Sequence, residues 1–332
     1  MFLGAGPSPG AQKHLAISTF SLWLSTKNEV LSVNQQTALS RFQKEEARMG
    51  GNRHMIAPLW VGTSGFSYLD WVGPVYPPDL AKSDWLSFYA TALGLNACEL
   101  NFTFYRMPSA RVLAQMASKV PSGFRFTLKA PRIFTHEREA TQADWEDFRR
   151  AVRPLQEVQK LGAVLVQFPY SYHNTPAHRR YLVHLRDRWH DLPLVVEFRN
   201  RGWVNESTFA LLREFNMGFC CVDEPDFPNL MPPIAVVTGP IAYVRFHGRN
   251  REKWWRHEHP WERYDYEYTE AELEEWIPRI QHLRAHAQEV YLFANNHFCG
   301  KAVRTAQALR RMCEAVQLYE GGERATYGLE TS

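Results

Sequence analysis

Polar residues recur in pairs, two positions apart, at the ends of short apolar runs. Glu99 and Asn101 close ACELNF, Glu197 and Arg199 close LVVEFRN, and Arg245 and His247 close IAYVRFHG. On an extended strand, side chains two apart share a face. The intervening Leu100, Phe198 and Phe246 then face the other way. Several strands therefore end with polar groups aimed inward and hydrophobes aimed outward. The mouth of a closed parallel barrel needs this arrangement, because a packed interior there gives way to a site at the C-terminal strand ends.

From Pro58 onward, eight apolar runs read as strands: Leu59–Thr63, Ala97–Asn101, Phe124–Lys129, Ala163–Phe168, Leu194–Arg199, Gly218–Asp223, Ile241–His247 and Val290–Asn295. Most lack the strict alternation of a half-solvated sheet, as buried parallel strands do. Helical patterns fill the seven intervals and follow the last strand. Ser109, Thr175-Pro176 and Asn205 are helix starts, and Thr269-Glu270-Ala271-Glu272 is a capping box opening a helix with Leu273, Trp276, Ile277 and Ile280. The expected fold is α/β, a TIM-type (β/α)8 barrel. A doubly wound open sheet is the rival, but Gly62-Thr63-Ser64-Gly65 is not its glycine-rich fingerprint.

The net charge of +3 over 332 residues is too small to imply a nucleic-acid or membrane partner by itself. No apolar run approaches the roughly 20 residues of a spanning helix. Five cysteines without a C-x-x-C spacing suggest reduced thiols and a cytoplasmic protein. Residues 1–55 read as an extension, poorly ordered or forming one helix. Residues 56–320 read as the barrel, and 321–332 as a tail.

VGTSGFSYLDWVGPVYP, ELNFTFYRMPS, GFRFTLKAPRIFTH, VLVQFP, VEFRNRGW, YVRFHGR, RYDYEY and FANNHFCGKA follow one another in order. With these segments the chain resembles the YecE-like family, domain of unknown function 72, from about Trp60 to Leu309. The resemblance implies a TIM-type barrel distantly like sugar-isomerase and apurinic-endonuclease barrels, and it implies no particular activity. His297 departs from the family pattern, standing where an acidic residue often follows the paired asparagines.

Glu99, Asn101, Lys129, Gln167, Glu197, Arg199, Asp223, Arg245 and His247 fall at or near strand ends. Lys129, Arg199, Arg245 and Arg249 supply positive charge, and arginine's planar fork suits carboxylate or phosphate. Glu197 is the first choice of general base and Glu99 the second, with His247 as a proton relay. Tyr68 and Tyr105 bring rings to the mouth, and Asn295 and Asn296 bring amides. Gly300-Lys301 opens a helix whose N-terminus suits a phosphate. Arg249 to Tyr268 carries five basic and five acidic residues among its aromatics, which fits a lid better than a polyphosphate track.

The expected ligand is a small anionic or phosphorylated molecule, with nucleic acid as a further candidate. The expected activity is phosphoester cleavage without a cofactor. Two alternatives stand beside it. One is a metal-dependent sugar isomerase or epimerase with Glu99, Glu197, Asp223 and His247 around a divalent ion, a weak reading because Lys and Arg lie nearby. The other is a non-catalytic nucleotide or nucleic-acid binder. The sequence leaves the oligomeric state open.

Overall fold

Eight parallel strands hydrogen-bond in chain order and the eighth returns to the first, closing the sheet. This architecture comes from a computed structural model that describes residues 56–327. The strands are β1 (Leu59–Ser64), β2 (Ala97–Leu100), β3 (Arg125–Lys129), β4 (Leu161–Gln167), β5 (Leu194–Glu197), β6 (Gly218–Asp223), β7 (Ile241–Phe246) and β8 (Glu289–Ala294). All eight coincide with the expected runs to within two residues. The barrel expectation holds; the extension over 1–55 lies outside the described residues.

The helices are α1 (Trp85–Ala92), α2 (Phe102–Tyr105), α3 (Ala110–Ser118), α4 (Gln142–Glu157), α5 (Pro176–Arg188), α6 (Glu206–Glu214), α7 (Glu270–Glu274), α8 (Ile277–His286) and α9 (Lys301–Tyr327). The side chains of Ser109, Thr175 and Asn205 cap α3, α5 and α6, and Thr269 with Glu272 forms the capping box of α7. α9 continues past residue 320, where the sequence reading placed the barrel's end.

Two intervals differ from expectation. The β6–β7 crossover, residues 224–240, contains no helix. Pro225, Pro228, Pro232, Pro233 and Pro240 fall within it, and each lacks the N–H that a helix interior needs. The crossover instead ties to β6 through the Val236 amide, 3.5 Å from Cys221 Sγ. The helix expected from Thr269 onward is divided between α7 and α8, because Pro278 cannot donate to the preceding turn.

Register determines what faces inward. Tyr243 pairs with Cys220 and Tyr291, and Arg245 pairs with Val222 and Phe293. The lower interior is aromatic: Tyr243, Tyr291 and Phe293 pack ring against ring, with Trp60 on Tyr291. At the β1–β2 seam a Cβ on Gly62 would lie 1.9 Å from the Ala97 carbonyl oxygen, so only glycine allows this approach. Above the aromatic layers the interior becomes charged.

Candidate functional site at the barrel mouth

Arg245 lies at the centre of the charged layer. Its Nε and Nη2 bind Glu99 at 3.0 and 2.6 Å, and its Nη1 binds Glu197 at 2.7 Å. Nη2 also reaches Ser64 Oγ at 3.3 Å, and Tyr243 donates to Glu99 at 2.7 Å. Arg199 Nε lies 2.7 Å from Glu197, and its Nη1 lies 3.2 Å from Glu224. Glu99, Glu197 and His247 are fully buried, and Arg245 is 2% exposed. Buried charges are tolerable in a low-dielectric interior when they are paired and hydrogen-bonded, as these are.

The electrostatics follow from this closure. Burial alone would raise the Glu197 carboxyl, but Arg199 and Arg245 hold it well below its usual range. Burial, with the charge of Arg199, pushes His247 down to about 3. The ring is therefore neutral: Nε2 donates to Glu197 at 3.2 Å and Nδ1 accepts from Asn295 at 3.0 Å. Burial pushes Glu224 up to about 7 against the opposing pull of Arg199.

A cavity of about 370 Å³ opens above this layer. Lys129, Arg199, Arg245, Asn101, Asn295, Tyr68 and Tyr105 line it, as the sequence suggested. Phe66, Phe102, Phe104, Tyr264 and His297 complete its walls. His297 stacks on Tyr68 with ring centroids 4.5 Å apart and planes 3° apart. The one visible departure from the family pattern is thus a wall of the pocket. Its only sequence signal was that departure. Two polar atoms on these walls, Asn101 Oδ1 and His297 Nδ1, are buried without a hydrogen-bond partner. Such atoms are costly unless a ligand or water meets them.

Lys129 differs from the arginines. Its Nζ lies 4.1 Å from the centroid of the Phe104 ring, and among the described residues it has no ion-pair partner. Burial and the charge of Arg245 push it down to about 7.

Other expected site residues lie elsewhere. Asp223 faces away from the interior, beside Phe246 in register, where Tyr268, Trp276 and Arg249 all donate to it. Arg249 is held there by Asp223, Glu272 and Glu275, so it is not part of an anion clamp. Asn296 donates to the Tyr266 carbonyl and to Thr305, pinning loop to helix. Gln167 is buried and donates to the Phe168 carbonyl. Glu99, Glu197 and His247 sit under the pocket floor and do not line it. The helix-terminus phosphate site is also absent from the lining: Asp70 already accepts from the Cys299 amide at 2.7 Å, and Lys301 pairs with Asp265.

The proposed metal set does not assemble. The Arg245 guanidinium fills the space between Glu99 and Glu197, and Asp223 is on the outer side of the sheet. Of the 249–268 segment, Tyr264 alone reaches the pocket wall. Asn250, which bonds the Glu262 and Asp265 carbonyls, ties that segment to itself, and the Arg304–Glu267 and Lys301–Asp265 pairs hold it to α9.

The model of the family described as "Protein of unknown function DUF72" matches residues 60–325. The chain belongs to the DUF72 family. A DUF72 protein from Thermotoga maritima, TM1631, is 41% identical, with a TM-score of 0.72 over 77% of this chain and 99% of that one. A DUF72 protein from Enterococcus faecalis V583 is 26% identical, with a TM-score of 0.69 over 77% of this chain and 95% of that one. The UPF0759 protein YunF of Bacillus subtilis (strain 168) is 28% identical over 264 residues, 74% of this chain and 90% of that one. The barrel of this DUF72 member is thus shared with solved relatives. Among its described residues no helix is long and apolar enough to cross a membrane.

Proposed function

We propose that this DUF72 protein is an enzyme that binds a small organic anion, by preference a phosphate ester, in the pocket at the barrel mouth. One observation carries the reading: Lys129, Arg199 and Arg245, from three separate strand ends, converge on one aromatic-walled cavity. The structure reduces the cationic charge that the sequence seemed to offer. Arg245 is saturated by its carboxylates, and Arg249 is elsewhere. What remains for a ligand is the Lys129 amine and the uncommitted Nη2 of Arg199. Two donors of this kind suit a single phosphate or carboxylate better than a polyphosphate. The Tyr68–His297 stack and Tyr264 provide flat surfaces for a sugar or base ring.

Proton transfer moves with the geometry. Glu197 accepts from Arg199, Arg245 and His247 and has no free face toward the cavity. Lys129 faces the cavity and titrates near neutrality, as a general base should. The metal-dependent alternative loses its ligand set to Arg245.

Calorimetric titration with inorganic phosphate, ribose 5-phosphate, adenosine monophosphate, neutral ribose and a single-stranded oligonucleotide tests the reading, followed by assay of phosphate release from the binders. The phosphate-bearing small molecules should bind and neutral ribose should not. Equal binding of ribose and ribose 5-phosphate would refute anion recognition. Binding without release would leave a binding protein in place of an enzyme.

A further inference from the structure

Lys129 combines three features that are unusual together. It closes β3 at the pocket wall, where no carboxylate of the described residues pairs with it. The floor's carboxylates are already engaged, Glu99 by Arg245 and Glu197 by Arg245 and Arg199. One side of its Nζ is covered by the Phe104 ring at 4.1 Å. The charged groups acting on it are Arg245 and Arg199, which oppose its protonation, and Glu197 and Glu99, which favour it. His136, beyond Phe104, is pushed down to about 4 by burial and then by Lys129 itself, so it adds no carboxylate-like support.

An amine built only to hold an anion is best kept protonated by a nearby carboxylate. This chain instead engages the nearby carboxylates with guanidinium groups, and those guanidinium groups oppose the amine's protonation. Desolvation beside other cations is how a lysine becomes a nucleophile. We propose that Lys129 Nζ condenses with the carbonyl of a small aldehyde or ketone bearing a phosphate or carboxylate, forming a Schiff base in this pocket. The proposal rests on the anion-binding reading above and specifies the substrate class.

The step balances without a redox partner. The Nζ lone pair forms the C–N bond as the carbonyl π pair moves to oxygen, and one N–H proton passes from nitrogen to that oxygen, giving a carbinolamine and restoring the nitrogen lone pair. That lone pair then forms C=N as the C–O bond breaks, and the second N–H proton leaves with the hydroxyl as water. An amine and a carbonyl become an imine and one water. Asn101 Oδ1, buried without a partner on the same wall, can accept from the carbinolamine hydroxyl. Arg199 is left to hold the substrate's anionic group.

Reductive trapping tests this. The full-length protein is incubated at pH 7 with glyoxylate or dihydroxyacetone phosphate and sodium cyanoborohydride, then mapped by peptide mass spectrometry. One adduct per chain on Lys129 is expected, forming at least about tenfold faster than on surface lysines, whose amines are almost wholly protonated at this pH. Inorganic phosphate should slow it, and Lys129→Arg, checked for an unchanged circular-dichroism spectrum, should abolish it. If neither carbonyl modifies Lys129 while phosphate still binds, the Schiff base is refuted and anion binding stands. If phosphate does not bind and no adduct forms, both fall. Equal labelling of all lysines also overturns the proposal.

Discussion

Arg245 reads from sequence as a ligand clamp, and in the structure it is the keystone of the barrel's upper core. Arg245→Met should cost about 3–5 kcal/mol, since Glu99 would remain buried without its counter-ion and Glu197 would keep only Arg199. Urea denaturation measures this, and adding Glu99→Gln should recover part of the loss. A stability unchanged by Arg245→Met would show that the network is not structural. Lys129→Met should act oppositely. The amine titrates near 7 when folded and near 10.4 when unfolded, so between these values the unfolded chain binds more protons. Wild-type stability therefore rises with pH across that window, and the penalty of burying the charge is full below pH 7. Lys129→Met should stabilise the fold by an amount on the order of a few kcal/mol at pH 6, shrinking toward zero by pH 10. A pH-independent difference would remove the perturbed amine.

At the scale of elements, the seam between β1 and β2 shows what holds strand to helix. Tyr89 of α1 sends its hydroxyl to the point where Gly62 admits the close backbone approach. There it accepts from the Thr63 amide at 2.9 Å and donates to the Ala97 carbonyl at 3.0 Å. Tyr89→Phe should lose about 1–3 kcal/mol by leaving a buried amide unsatisfied, measured by thermal or chemical unfolding. A neutral effect would mean that water or a backbone shift replaces the phenol. The elements were readable where local chemistry specifies them. Ser109, Thr175, Asn205 and the Thr269–Glu272 box all start helices as their side chains dictate. The β6–β7 crossover was expected to be helical like the other intervals, but its prolines forbid a helix.

For the whole molecule, a ligand that binds only the closed barrel must stabilise it. Phosphate or ribose 5-phosphate at 100 times its dissociation constant should add about 2.7 kcal/mol to unfolding. Differential scanning calorimetry should show the melting temperature rising with ligand concentration in the wild type and not in Lys129→Met. A rise of equal size in both would place the anion elsewhere.

Much of the site was legible at this scale too. Two-residue spacing at strand ends is a local property, so Glu99 with Asn101, Glu197 with Arg199, and Arg245 with His247 could be assigned to one face before any strand was paired. The eight apolar runs, their helix caps and the family segments likewise determined a closed parallel barrel. Only the tertiary structure decided which inward groups satisfy one another and which remain free. Register turned Asp223 outward to Tyr268, Trp276 and Arg249, and barrel closure brought Glu99 and Glu197 to Arg245 from opposite sides of the interior. Charge pairing over such separations depends on where strands far apart in the chain meet, and no local pattern encodes that. Lys129 shows this most plainly: its residue type is in the sequence, but that no carboxylate among the described residues pairs with it is a property of the closed barrel.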